Sequence, residues 1–167
     1  MRLQTGTALQ LFVAASVASV PIPALTQALV THRIPAALAV EAAMEAVNFC
    51  AKDGYQESAV VVDASGAHQA EIRGDGAATY TLDSANDKAY TAASFKRDTS
   101  VMAEAVKDFK GPYPLQKLPH VLFFPGGVVI KIGDEVVGAI AASGAPRSVL
   151  DEACAKAGLD KIRDRLK

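Results

Sequence analysis

The sequence has no tryptophan, few other aromatics, two cysteines and three histidines. Its charges nearly cancel, 17 basic against 18 acidic side chains. With neither a basic excess nor a dense Lys/Arg run, a nucleic-acid phosphate backbone is not an expected partner. The histidines, His32, His68 and His120, are scattered, and none forms the closely spaced pair that zinc needs. No metal site is therefore expected. Catalytic signatures are missing as well: there is no G-x-S-x-G, no H-E-x-x-H, no phosphate-binding loop and no C-x-x-C. No residue is assigned as catalytic, and whether the chain is an enzyme stays open.

What is present is alanine and valine. They make up most of the apolar half of the composition and suit thin, closely approaching helices and β-branched strands. Small apolar residues on exposed helix faces also suit a homo-oligomer. The N-terminus has the pattern of an export leader: Arg2, a short apolar run from Ala8 to Val20, helix-breaking Pro21 and Pro23, then small residues at Thr26-Gln-Ala28. The run is too short to span a bilayer comfortably, so no stable membrane anchor is expected once it is cleaved. This divides the chain into a leader, 1–28, and a single domain, 29–167, destined for the periplasm or for secretion. Cys50 and Cys154 fall in expected helices near the two ends of that domain. They either bridge side by side or stay two small buried apolar groups.

Along the domain, Pro35 opens a first helix and Gly54 ends it. Its Glu41 and Glu45, one turn apart, read as a solvated face. Val60, Val61 and Val62 form a strand buried on both faces. Asp63-Ala-Ser-Gly66 turns tightly into a partner strand from Ala67 to Arg73. Gly74-Asp75-Gly76 breaks that strand in a loop open to close approach by another group. Asp83 or Ser84 caps a helix ending at Lys96-Arg97-Asp98, and Thr99 caps another that stops at Gly111-Pro112. Three short strands follow, His120–Phe124, Val128–Ile132 and Glu135–Ile140. Ser148 with Asp151 then opens a last helix, which Gly158 stops. Composition and periodicity alone thus give an α/β (α+β) domain.

An ordered set of motifs takes the reading further: Val61-Val-Asp63 with Gly66, Arg73-Gly-Asp-Gly-Ala77, Lys88-Ala-Tyr-Thr-Ala92, Pro125-Gly-Gly127, Val137-Gly-Ala-Ile140, Ser143-Gly-Ala145 and Asp151-Glu-Ala-Cys-Ala-Lys-Ala-Gly158. Together, over roughly Ile34 to Leu159, they resemble the GlcG/HbpS-like family of haem-binding, so-called haem-degrading domains (the DUF336 type). The resemblance implies a profilin-like fold, with about five antiparallel strands flanked by helices. It also implies an exported oligomer that binds haem at subunit contacts, in haem or iron sequestration, haem degradation or redox sensing. Without C-x-x-C-H, that haem would be held non-covalently. Family neighbours suggest a second reading, a small organic-acid-binding or accessory domain of glycolate or diol metabolism.

The resemblance places an axial threonine at Thr99, whose reading from the residues is an N-cap on the Met102 amide. One hydroxyl cannot easily do both. His68 competes as iron ligand, imidazole being the usual haem donor, and is otherwise a hydrogen-bonded residue at the sheet edge. Lys96 and Arg97 either clamp propionates or neutralise a helix end. Arg73 and Asp75 either pair with each other or, with Lys88, surround a small-molecule pocket. Glu41 and Glu45 fit poorly the closely spaced acidic pair described for an exported member.

Overall fold

A computed structural model describes residues 31–109 and 114–167; the expected leader lies outside them. The first helix, α1 (Ala36–Ala51), begins directly after Pro35, whose φ of −59° suits a helix start. It buries Ala39, Ala42, Ala43, Ala46, Val47 and Cys50, a stripe spaced three and four residues apart. Two strands follow, β1 (Ser58–Asp63) and β2 (His68–Arg73). The turn between them is held by Asp63, whose Oδ1 accepts from the amides of Ser65 and Ala67 and from the Ser65 hydroxyl. Then come α2 (Tyr80–Phe95), α3 (Thr99–Val106), β3 (Gly127–Ile132), β4 (Glu135–Ser143) and α4 (Ser148–Ile162).

The strands form one antiparallel sheet in the order β2-β1-β4-β3. Because side chains alternate along a strand, the valine run of β1 divides between two cores. Ala59 and Val61 join α1 and α4 on one face, while Val60 and Val62 join Ala85, Ala89 and Ala92 of α2 on the other. The result is the expected mixed α/β architecture, an antiparallel sheet between helices.

Several features differ from the sequence-based expectation. Among the described residues the sheet has four strands, not five: His120 turns to a φ of 62°, and its carbonyl accepts from Thr91 Oγ1, which in turn accepts from the Leu122 amide. That backbone is committed to α2 and has no ladder to join. The second helix starts at Tyr80, so Asp83 lies inside its first turn and does not cap it. The last helix starts at Ser148 without a side-chain cap, because the Asp151 carboxylate is used elsewhere. Gly158 does not end α4, which runs on to Ile162. A Cβ there would collide with the Ala42 carbonyl, so this glycine is where α1 and α4 press backbone to backbone.

Of the two alternatives for the cysteines, the bridge is present. Cys50 and Cys154 are joined, with their Cα atoms 5.7 Å apart, and so tie α1 to α4. None of the described helices is long and apolar enough to cross a membrane.

Candidate functional site

A buried polar cluster lies between α2 and α4. Lys88 reaches from α2 to the first turn of α4, where Nζ lies 2.5 Å from Asp151 Oδ2. The two side chains are only 3% and 5% exposed. Nζ also donates to the Ala142 carbonyl at 3.3 Å, and the Ala145 amide donates to Asp151 Oδ1 at 2.9 Å. Gly126 makes this approach possible. It has a φ of 129°, and a Cβ on it would fall 2.8 Å from Lys88 Cδ and 2.9 Å from the Ala142 oxygen.

Glu57, just ahead of β1, completes the cluster. Its side chain is buried and its carboxyl faces that of Asp151, to which the nearby Ala145 amide donates. Burial first, and then the negative charge of Asp151, push its pKa up to about 8, with Lys88 only partly opposing them. Two carboxyl groups face one ammonium, so a proton on Glu57 leaves the cluster neutral. A carboxyl oxygen of Glu57 and the sulfurs of Cys50 and Cys154 all lie within 4.8 Å of one another. With both sulfurs in the bridge there is no thiolate to hold a metal ion.

Lys88 therefore does not line a pocket, as its place beside Arg73 and Asp75 had suggested. Those two residues do not pair either. Arg73 Nη1 donates to the Ala77 carbonyl at 2.6 Å, folding the side chain over its own loop, and Asp75 is exposed. The hollow beside this loop, about 290 Å³, is lined by Gly54, Tyr55, Gln56, Gly76, Thr81 and Gly144 among others, without a charged side chain. Another of about 320 Å³ lies between β3 and the end of α4. Both sit near the lower bound of roughly 300–1,000 Å³ for ligand pockets, so neither encloses a macrocycle.

Thr99 is fully buried. Its hydroxyl accepts from the Gly127 amide at 2.9 Å and donates to the Gly127 carbonyl at 3.3 Å. It is neither an N-cap nor open to an iron atom within the protomer. Asp98 holds the cap position without a side-chain cap bond, and its Oδ1 accepts from the Val129 amide at 2.9 Å. Asp98 and Thr99 together close part of the free edge of β3. Lys96 and Arg97, just before them, are exposed. Lys96 is the left-handed C-cap of α2, with φ 54°.

His68 is exposed at the start of β2. Its Nε2 meets Asn86 Oδ1 on α2, and its Nδ1 lies 3.4 Å from Glu71 Oε2. Asn86 continues to Asp87 at 3.2 Å, and Asp87 Oδ1 meets His120 Nδ1 at 3.0 Å. The His120 ring stands edge-on to Tyr90, centroids 5.9 Å apart. Sequence reasoning missed Asn86, Asp87 and His120, because only the turn at His120 brings them together. It missed Glu57 too, whose partners come from α2 and α4.

The model of the family described as haem degrading protein HbpS-like matches residues 34–160. Among solved structures, a double mutant of HbpS from Streptomyces reticuli is 34% identical, covering 88% of this chain and 97% of that one, with a TM-score of 0.72. The Klebsiella pneumoniae protein ORFY is 26% identical over 83% of this chain and 95% of that one, with a TM-score of 0.75. A PduOC:heme complex, 22% identical over 73% and 89%, with a TM-score of 0.67, is a likeness of fold. No curated protein gives a significant match. Matched by the family model over nearly all of its described domain, and similar to HbpS over almost that protein's whole length, the chain belongs to the HbpS-like haem-degrading family.

Proposed function

We propose that this protein is exported and binds haem non-covalently between associated copies, serving haem or iron sequestration or a redox response. Its family supports the ligand. The observation that carries the reading is the setting of His68. A carboxylate on one ring nitrogen orients a metal-ligating imidazole and raises its basicity. Glu71 stands in that place at Nδ1, which leaves Nε2 to exchange its exposed contact with Asn86 for iron.

Lys96 and Arg97 are the cations for the propionates. Lys96 lies ten residues beyond Asn86 along α2, roughly 15 Å at 1.5 Å per residue, which favours a haem shared between copies. They precede a helix, α3, that buries only Thr99 and leaves Val101 51% exposed, an apolar surface suited to a flat macrocycle.

The test is a haemin titration of the purified domain, read in the Soret band, with the mass in solution measured alongside. A saturable shift is expected, altered in His68→Ala and accompanied by association of copies. A folded domain that gives no saturable shift overturns the reading. Sequencing the exported product should find an N-terminus just after Ala28.

A further inference from the structure

The carboxyl group of Glu57 is buried beside the Asp151 carboxylate and lies within 4.8 Å of both sulfurs of the Cys50–Cys154 bridge. A disulfide acting only as a staple has no use for an acid at that distance, and burying a carboxyl is costly. A disulfide that is opened does need one, because the departing sulfur leaves as a thiolate that is poorly solvated in a core. We infer that Glu57 is the proton donor of a reducible Cys50–Cys154 couple, a thiol–disulfide site that takes electrons from a dithiol.

Cys50 is the sulfur a reductant reaches first. It lies in the last turn of α1, and its carbonyl accepts the amides of Asp53 and Tyr55, both at 3.1 Å. That turn leads into Gly54, Tyr55 and Gln56, which line the open hollow of about 290 Å³. Both cysteines are buried at rest, so the attack requires this turn to fray, which frees Cys50 while Cys154 stays inside α4.

A thiolate of the dithiol attacks Cys50 Sγ, forms a mixed disulfide and breaks the Cys50–Cys154 bond. Cys154 leaves as a thiolate and takes the Glu57 proton. The second thiol of the reductant gives its proton to the Glu57 carboxylate and attacks its own sulfur in the mixed disulfide. Cys50 is released as a thiolate and is protonated from water. In sum the dithiol is oxidised to a disulfide, and two electrons and two protons yield two cysteine thiols. Two charged groups act on Glu57, Asp151 from α4 and Lys88 from α2. They already form a neutral pair, so the proton on Glu57 is the one available.

The experiment is reduction of the folded, bridged chain by dithiothreitol from about pH 6 to about pH 10, each rate divided by the thiolate concentration of the reagent. The corrected wild-type rate should fall about a hundredfold as Glu57 ionises, the lower end of what a general acid contributes. In Glu57→Gln it should show no such fall. Coincident corrected profiles, or a folded wild type that resists dithiothreitol throughout, overturn the inference. Should Glu57→Gln not fold, the titration of the Glu57 carboxyl, followed by carbon-13 NMR in oxidised and reduced wild type, decides it. A midpoint that moves on reduction supports the coupling, and an unmoved one refutes it. No haem is needed for any of these measurements.

Discussion

Lys88 and Asp151 form an ion pair across two layers of the fold, 2.5 Å long and closed to water, with the Ala142 carbonyl as its third member. The pair gives several motifs a common purpose. Lys88 comes from one, Gly126 from the next, Ala145 from another and Asp151 from the last. What these segments build is a buried polar joint.

Removing one partner of such a pair strands the other. Lys88→Met should lower unfolding stability by about 3–5 kcal/mol, the usual result of leaving a buried charge uncompensated. Lys88→Met combined with Asp151→Leu should recover part of that loss. Urea unfolding of the two single variants and the double variant measures the coupling.

Glu57 makes stability depend on pH with a defined sign. Its pKa is about 8 in the folded protein against an ordinary 4.5, so between those values the folded state binds more protons than the unfolded one. Stability therefore falls as pH rises through that window and levels off above it. Relative to Glu57→Gln, the wild type should lose about 1.4 kcal/mol per pH unit there. Denaturant midpoints of the two proteins at matched pH values provide the check.

Gly126→Ala should destabilise the protein by more than about 1 kcal/mol, because the backbone conformation is closed to alanine and the methyl meets Lys88. Thermal unfolding would reveal it.

Thr99 and His68 should separate cleanly. Thr99→Val leaves the buried Gly127 amide without its acceptor, at a cost of about 1–3 kcal/mol, and should leave the haemin spectrum unchanged. His68→Ala, at an exposed position, should stay within about 0.5 kcal/mol of wild type and change that spectrum. Absorption and unfolding measured on the same samples test both.

The bridge closes a sequence separation of 104 residues. Replacing both cysteines with alanine should cost about 2–5 kcal/mol, as expected for a long loop. Denaturant unfolding with and without reductant reads it.

Much of the fold was legible in local chemistry. Pro35 marked the start of α1, the Asp63 turn marked the hairpin, and three consecutive valines marked a strand covered on both faces. Several of the errors share one cause, a residue whose local preference yields to a distant partner. Asp151 has the spacing of a capping acid but serves Lys88 and Ala145. Gly158 has the look of a helix stop but is the contact point for Ala42. Thr99 has the chemistry of a cap but secures Gly127. Glu57 carried no periodic or motif signal, since its role depends on a helix nearly a hundred positions away.

The stoppered edge of β3 limits how copies of this chain assemble. The Asp98 and Thr99 side chains occupy the outward amides of Val129 and Gly127, so an incoming strand would find few donors to zip onto there. Growth by continuous sheet extension past that flank is disfavoured. Copies that meet on this side must recognise one another through side chains, and substitutions on its surface can then retune the assembly without unravelling the sheet.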